Sequence, residues 1–241
     1  MSELKIEDDL TRAKRGLTWL RLEEALHGTD CPICSQMEKT EKHYIEGILY
    51  EYVLDAGVRK KLHNGHGFCT HHAKCALEAE KKLRSDGLHL ATMFESVVEE
   101  NLKILRNQIE LLNNLTSEKN KRKKKKSVHS INVTECLICN FVEEAEQIAV
   151  HGFLYFSSDE ELIETYVSSR TILCFRHTEM LVKEKVNTRI VKTTVKKLDK
   201  IKEDLSNFMK KHDYQSAQDY SEDELRSYID AVNFFPGEYR K

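Results

Sequence analysis

Apolar residues along this chain recur at helical rather than strand spacing. Tyr44, Ile45, Ile48, Leu49, Tyr52 and Val53 form the stripe of an amphipathic helix. Val58 to Leu62 predicts a shorter helix after it. Beyond His72, the positions of Met93, Val97, Leu105, Ile109 and Leu112 predict a long helical stretch to about Leu115, interrupted near Ser85 to Gly87. A similar stripe follows in Val191, Val195, Leu198, Ile201, Leu205 and Phe208. After a break near Tyr214, Glu222 to Phe235 predicts one more short helix, stopped by Pro236-Gly237 and docked on a bundle through Leu225, Tyr228, Ile229 and Val232. With only 2 prolines and 9 glycines to break helices, the chain reads as all-α.

The pattern is used twice. Cys31-Pro32-Ile33-Cys34 is followed by Phe68-Cys69-Thr70-His71-His72, and Cys136-Leu137-Ile138-Cys139 by Leu173-Cys174-Phe175-Arg176-His177. Within each half the two motifs are 35 residues apart, and a single offset of 105 superposes Cys31, Cys34, Cys69 and His72 on Cys136, Cys139, Cys174 and His177. The same offset pairs Thr29 with Thr134, Ile33 with Ile138, Glu38 with Glu143, Glu41 with Glu146, and Gly47, Leu49, Tyr50 with Gly152, Leu154, Tyr155. The expectation is two tandem helical repeats related by a pseudo-twofold: a first repeat over 1–117, a basic linker over 118–128, a second repeat over 129–215, and a C-terminal helix and tail over 216–241.

These motifs carry the chemistry. A C-x2-C turn lets two thiolates converge on one ion, and C-x2-H at a helix start supplies two more donors where the partial positive charge of the helix favours thiolate. Each repeat is therefore expected to hold one zinc ion through three cysteines and one histidine, two ions per chain, with an iron-sulfur cluster as the lesser alternative. Four protein donors close the shell, so such sites are structural. His72 is preferred over His71 as ligand because only His72 has a counterpart at the offset. Cys75 pairs with Met180 and reads as a packing residue; Tyr50 and Tyr155 read as core residues, and Gly47 and Gly152 as points of close helix approach. The remaining histidines stand near no nucleophile in any catalytic pattern, so no enzyme is expected.

Charge and compartment narrow the picture. Mean hydropathy is −0.56, and no stretch approaches the roughly 20 apolar residues of a membrane span. The segment Met1 to Arg15 lacks an apolar signal core, so the seven cysteines are expected in a reducing, cytoplasmic setting, as ligands rather than disulfides. Seven basic residues lie between Lys119 and Lys126; without them 31 basic residues face 40 acidic ones, a difference of −9 that repels a phosphate backbone. A protein partner is the expected binding class, with nucleic acid through Lys119–Lys126 the weaker alternative. The Cys31/Cys34 dithiol allows a further reading as a thiol oxidoreductase, but no strand precedes it and the other motifs would go unexplained.

Cys-Pro-Ile-Cys with the downstream Gly67-Phe68-Cys69-x-x-His72 resembles an uncharacterised bacterial family of duplicated CPxC…GFCxxH proteins of unknown function, and Ala231-Val232-Asn233-Phe234-Phe235-Pro236-Gly237 is similar to that family's C-terminal ending. The resemblance takes in most of the chain and brings no established activity. The second copy departs from it in lacking the proline and in having Ile172-Leu173 before Cys174.

Overall fold

The computed structural model describes residues 16–83, 86–116, 136–212 and 219–235. The segment Met1 to Arg15, Ser85, the basic run Lys119–Lys126, Thr134, the break near Tyr214 and the Pro236-Gly237 stop lie outside the described residues. Among the described residues every regular element is an α-helix, as the hydrophobic spacing predicts. They are α1 (16–26), α2 (Pro32–Tyr50), α3 (Ala56–Asn64), α4 (Thr70–Lys82), α5 (Leu88–Thr116), α6 (Leu137–Phe156), α7 (Glu160–Ser168), α8 (Phe175–Lys183), α9 (Thr188–Lys211) and α10 (Glu222–Phe234). Helix starts are set by local chemistry. Asp55, Asp159 and Asn187 each accept a backbone N–H at the head of α3, α7 and α9, and Ser221 with Glu224 forms a reciprocal capping box at α10. Cys69 and Cys174 occupy the same N-cap position on α4 and α8.

The chain divides into two compact units, and both boundaries fall inside helices, at Lys39/Thr40 in α2 and Glu143/Glu144 in α6. The first unit takes residues up to Lys39 and from Glu144 onward. Its core gathers Trp19, Leu22 and Leu26 from α1, Ile33 from α2, Phe153 from α6, Leu162, Ile163 and Tyr166 from α7, and Ile190 from α9, all at most 2% exposed. Trp19 meets Phe156 edge-on at 5.0 Å. A side chain on Gly152 would come within 2.6 Å of Thr18 Cγ2, so glycine is required where α6 passes α1. The Tyr166 hydroxyl lies 2.8 Å from Thr194 Oγ1 and accepts the Leu173 N–H at 3.1 Å, which fixes the backbone just ahead of Cys174. Lys197 donates to the carbonyls of Tyr166, Ser169 and Thr171, terminating α7.

Helix α10 packs on α9, and Tyr228 of the predicted face meets Phe208 there at 6.3 Å, but that face is left largely uncovered. Leu225, Tyr228, Ile229 and Val232 are exposed, while Glu224, Ser227 and Phe234 are buried. The capping box and the Lys211 ammonium, 2.8 Å from Glu224 Oε2, turn the helix so that its polar start lies inward.

The second unit spans Thr40–Glu143. Ile45, Ile48 and Leu49 of α2, Leu62 of α3, Ala76 of α4, Met93 and Val97 of α5 and Val142 of α6 form its core. Tyr44 stacks on Phe141 at 3.7 Å, and Phe68 meets Phe94 edge-on at 5.3 Å. Arg59 donates to the Thr92 carbonyl and to Ser96 Oγ, tying α3 to α5. Further along α5, Leu105, Ile109 and Leu112 are exposed. Tyr50 and Tyr155, expected in the core, are 73% and 80% exposed; each lies at or near the end of its helix, where the stripe has left the packed face. A side chain on Gly47 would meet only the Tyr52 ring, at an ordinary 3.7 Å, so no close helix approach demands that glycine.

Candidate metal centres

All four cysteine-bearing motifs open helices. Cys31 and Cys136 immediately precede α2 and α6 and accept through their carbonyls the N–H of Ser35 and Asn140, which places Cys34 and Cys139 in the first turn on the same side. Cys69 and Cys174 cap α4 and α8, with His72 and His177 three residues on, so sulfur and imidazole of each pair face one point. Four helix N-termini thus bring partial positive charge to the sulfurs.

The eight predicted ligands assemble into two groups, and these cross the sequence halves. One joins Cys31, Cys34, Cys174 and His177, all in the first unit; the other joins Cys69, His72, Cys136 and Cys139, all in the second. This corrects the expectation of one Cys3His site within each repeat. Donor content does not distinguish the two pairings, because each half offers the same C-x2-C and C-x2-H motifs; chain spacing, 35 residues within a half against 140 from Cys34 to Cys174, favours the pairing within halves. Helix α2 alone, 19 residues and about 28 Å long, shows why neighbours in sequence need not be neighbours in space.

The donor distances meet the demands of a tetrahedral ion. In the first group His177 Nδ1 lies 3.4, 3.3 and 3.2 Å from the sulfurs of Cys31, Cys34 and Cys174, and Cys34 Sγ is 3.8 Å from Cys174 Sγ. In the second, His72 Nδ1 lies 3.1, 3.5 and 3.3 Å from Cys69, Cys136 and Cys139, and Cys69 Sγ is 3.7 Å from Cys139 Sγ. Zinc with its usual bonds holds sulfurs about 3.8 Å apart and sulfur and nitrogen about 3.6 Å apart. Both histidines and Cys31, Cys136 and Cys174 are buried.

Each histidine presents Nδ1 to the sulfurs and its far nitrogen to a buried carboxylate. His177 Nε2 is 3.0 Å from Glu146 Oε1, and His72 Nε2 is 3.0 Å from Glu41 Oε1. The carboxylates are held in turn: Arg176 donates to Glu146 Oε2 at 2.7 Å, and His71 Nε2 lies 3.1 Å from Glu41 Oε1. In the sequence Glu41 and Glu146 stand out only as identities at the 105-residue offset, and that identity is the signal there for an orienting role. His72, not His71, is the group facing the sulfurs, and Cys75 stands outside both four-donor groups.

The electrostatics call for a cation. Burial opposes charge on His177, yet the Cys174 and Cys31 sulfurs and Glu146 push its pKa up to about 11. His72 is raised to about 9 against the same burial penalty, by Cys136 and Glu41. Burial likewise opposes ionisation of Cys136, but His72 and the surrounding backbone N–H groups bring it down to about 6. The sulfurs of Cys31 and Cys34 hold Cys174 well below the thiol range, and its charge drives Cys34 upward. The crowded sulfurs attract positive charge; a divalent ion would supply it and displace the imidazole proton, since a histidine ligand is neutral.

Replacing Glu146 by glutamine keeps its size and removes its charge. Metal retention by the Cys31/Cys34/Cys174/His177 group is expected to weaken about 10- to 100-fold in competition with a chromophoric chelator, while the other group is unchanged. Equal weakening of both groups would contradict the assignment.

The family model that matches this chain, over residues 14–240, is described as a family of unknown function (DUF6062). No curated protein and no solved structure matches the chain. No helix among the described residues is long and apolar enough to cross a membrane.

Proposed function

The chain belongs to this family of unknown function, and from that premise we propose that it is a non-enzymatic scaffold whose two units are each closed around one structural zinc ion. One observation carries the reading: two separate sets of three sulfurs and one imidazole nitrogen, each at the mutual distances of a tetrahedral shell. Three thiolates with one imidazole favour zinc over the hard divalent cations. A shell filled by four protein donors leaves no position for substrate, which supports a structural role. Each ion joins the heads of two helices, α2 with α8 and α4 with α6, in place of a larger apolar core. The rigid helical surface so fixed would serve a protein partner in a cytoplasmic setting, where thiols stay reduced.

Native mass spectrometry with elemental analysis tests this on protein purified without a metal-affinity tag and dialysed. Two zinc ions per chain are expected, with Cys75 the one cysteine open to a thiol reagent until a denaturing chelator exposes all seven cysteines. A folded, metal-free chain with fast thiols would return the Cys31/Cys34 pair to the thiol-oxidoreductase reading. Iron with inorganic sulfide would replace zinc by a cluster.

A further inference from the structure

Outside the two four-donor groups, a third set of unlike donors converges in the second unit: a Glu41 carboxylate oxygen, His71 Nε2 and Cys75 Sγ, all within 4.8 Å of one another. His71 and Cys75 lie four residues apart on α4 and so share one face of that helix, and Glu41 reaches them from α2. His71 Nε2 is 3.1 Å from Glu41 Oε1 and 3.6 Å from Cys75 Sγ. A tetrahedral zinc-class ion holds nitrogen and oxygen about 3.3 Å apart and nitrogen and sulfur about 3.6 Å apart, close to both distances from His71 Nε2.

Comparison with the other unit separates this group from ordinary support. There, Glu146 is held by Arg176, and the position 105 residues after Cys75 is Met180. Arg176 holds that carboxylate with a charge of its own, and Met180 offers no thiolate. At the matching positions the second unit has His71 and Cys75, both zinc-class ligands, beside a carboxylate with lone pairs to spare.

We propose that Glu41, His71 and Cys75 form a third, exchangeable site for a zinc-class divalent cation. Three protein donors leave the fourth position to water, the arrangement of an open rather than a closed site. Glu41 is 5% exposed, but the His71 side chain is 45% exposed and Cys75 is half-buried, so an ion enters from solvent without unfolding the unit. One thiolate and one carboxylate neutralise the ion. Under the two-zinc reading, the adjacent Cys69/His72/Cys136/Cys139 centre carries a net charge of about −1, which further favours a cation here. Glu41 also lies 3.0 Å from His72 Nε2, so loading the open site draws on the carboxylate that supports the neighbouring ligand.

The test uses full-length dialysed protein whose zinc is counted first, then equilibrated with cobalt(II). The expected result is one cobalt per chain with a near-ultraviolet thiolate-to-cobalt band and no loss of zinc. C75M should keep its zinc and lose both the cobalt and the band. H71R/C75M, which installs the Arg176 and Met180 pair of the other unit, should fold, keep its zinc and bind no cobalt. Absence of cobalt from the unmodified protein, or a band that persists in C75M, overturns the proposal. A zinc count below two before cobalt is added would strike the structural-zinc reading instead, since the Cys75-dependent band is read independently.

Discussion

Removing the metal is expected to unfold the chain. In isolated finger peptides, zinc at a cysteine-histidine site is worth about 10 to 16 kcal/mol apparent, whereas a typical domain has only about 5 to 15 kcal/mol of net stability. The small cores support this expectation, because each donor group sits where two helix heads would otherwise meet through buried sulfur and imidazole alone. A strong chelator should abolish most of the helical circular-dichroism signal and the cooperative melting transition, and zinc should restore both. A melting midpoint shifted by only a few degrees would show that apolar packing suffices. The pH dependence follows in sign. Metal-bound cysteines carry no proton, while in the unfolded chain their pKa is about 8.5, so the folded state binds fewer protons below that value. Stability from each centre is therefore fully present above about pH 8.5 and falls on acidification, by about 4 kcal/mol per pH unit for three cysteines.

The second large effect is expected from Cys174→Ser. It should remove one ion, not two, and the damage should follow the unit rather than the sequence half. Cys174 shares its centre with Cys31 and Cys34, so hydrogen-exchange protection should be lost in α1 and α8, both of the first unit, and kept in α3 and α4 of the second. The Tyr166 hydroxyl would still hold the Leu173 N–H, but one backbone bond worth about 1 kcal/mol does not replace an ion. Loss of protection in α6 and α9 with α1 unaffected would argue for pairing within the second half.

Much of this architecture could be read from the sequence because helices announce themselves locally. The 35- and 105-residue spacings identify the eight donors, and the break at Gly87 separates helices where the stripes predict one. What sequence could not resolve was long-range. Motifs of identical donor content can pair within halves or across them; pairing within halves closes the shorter loops, yet the structure takes the crossed pairing. Stripe periodicity likewise says which residues share a face, not whether that face is covered. Tyr50 and Tyr155 lie exposed at or near the ends of their helices, and the Leu225, Tyr228, Ile229, Val232 face of α10 lies exposed because the capping box and the Lys211–Glu224 ion pair, not apolar content, orient that helix. Glu41 and Glu146 were visible as repeated acids, but their role needed the histidines placed beside them.

The crossed pairing of the two metal centres is tested most directly by counting zinc in two double variants, C34S/C174S and C34S/C69S. If Cys34 and Cys174 bind the same ion, C34S/C174S retains one zinc per chain and C34S/C69S retains none. The reverse result, one ion in C34S/C69S and none in C34S/C174S, would place each site within its own sequence half and contradict the account.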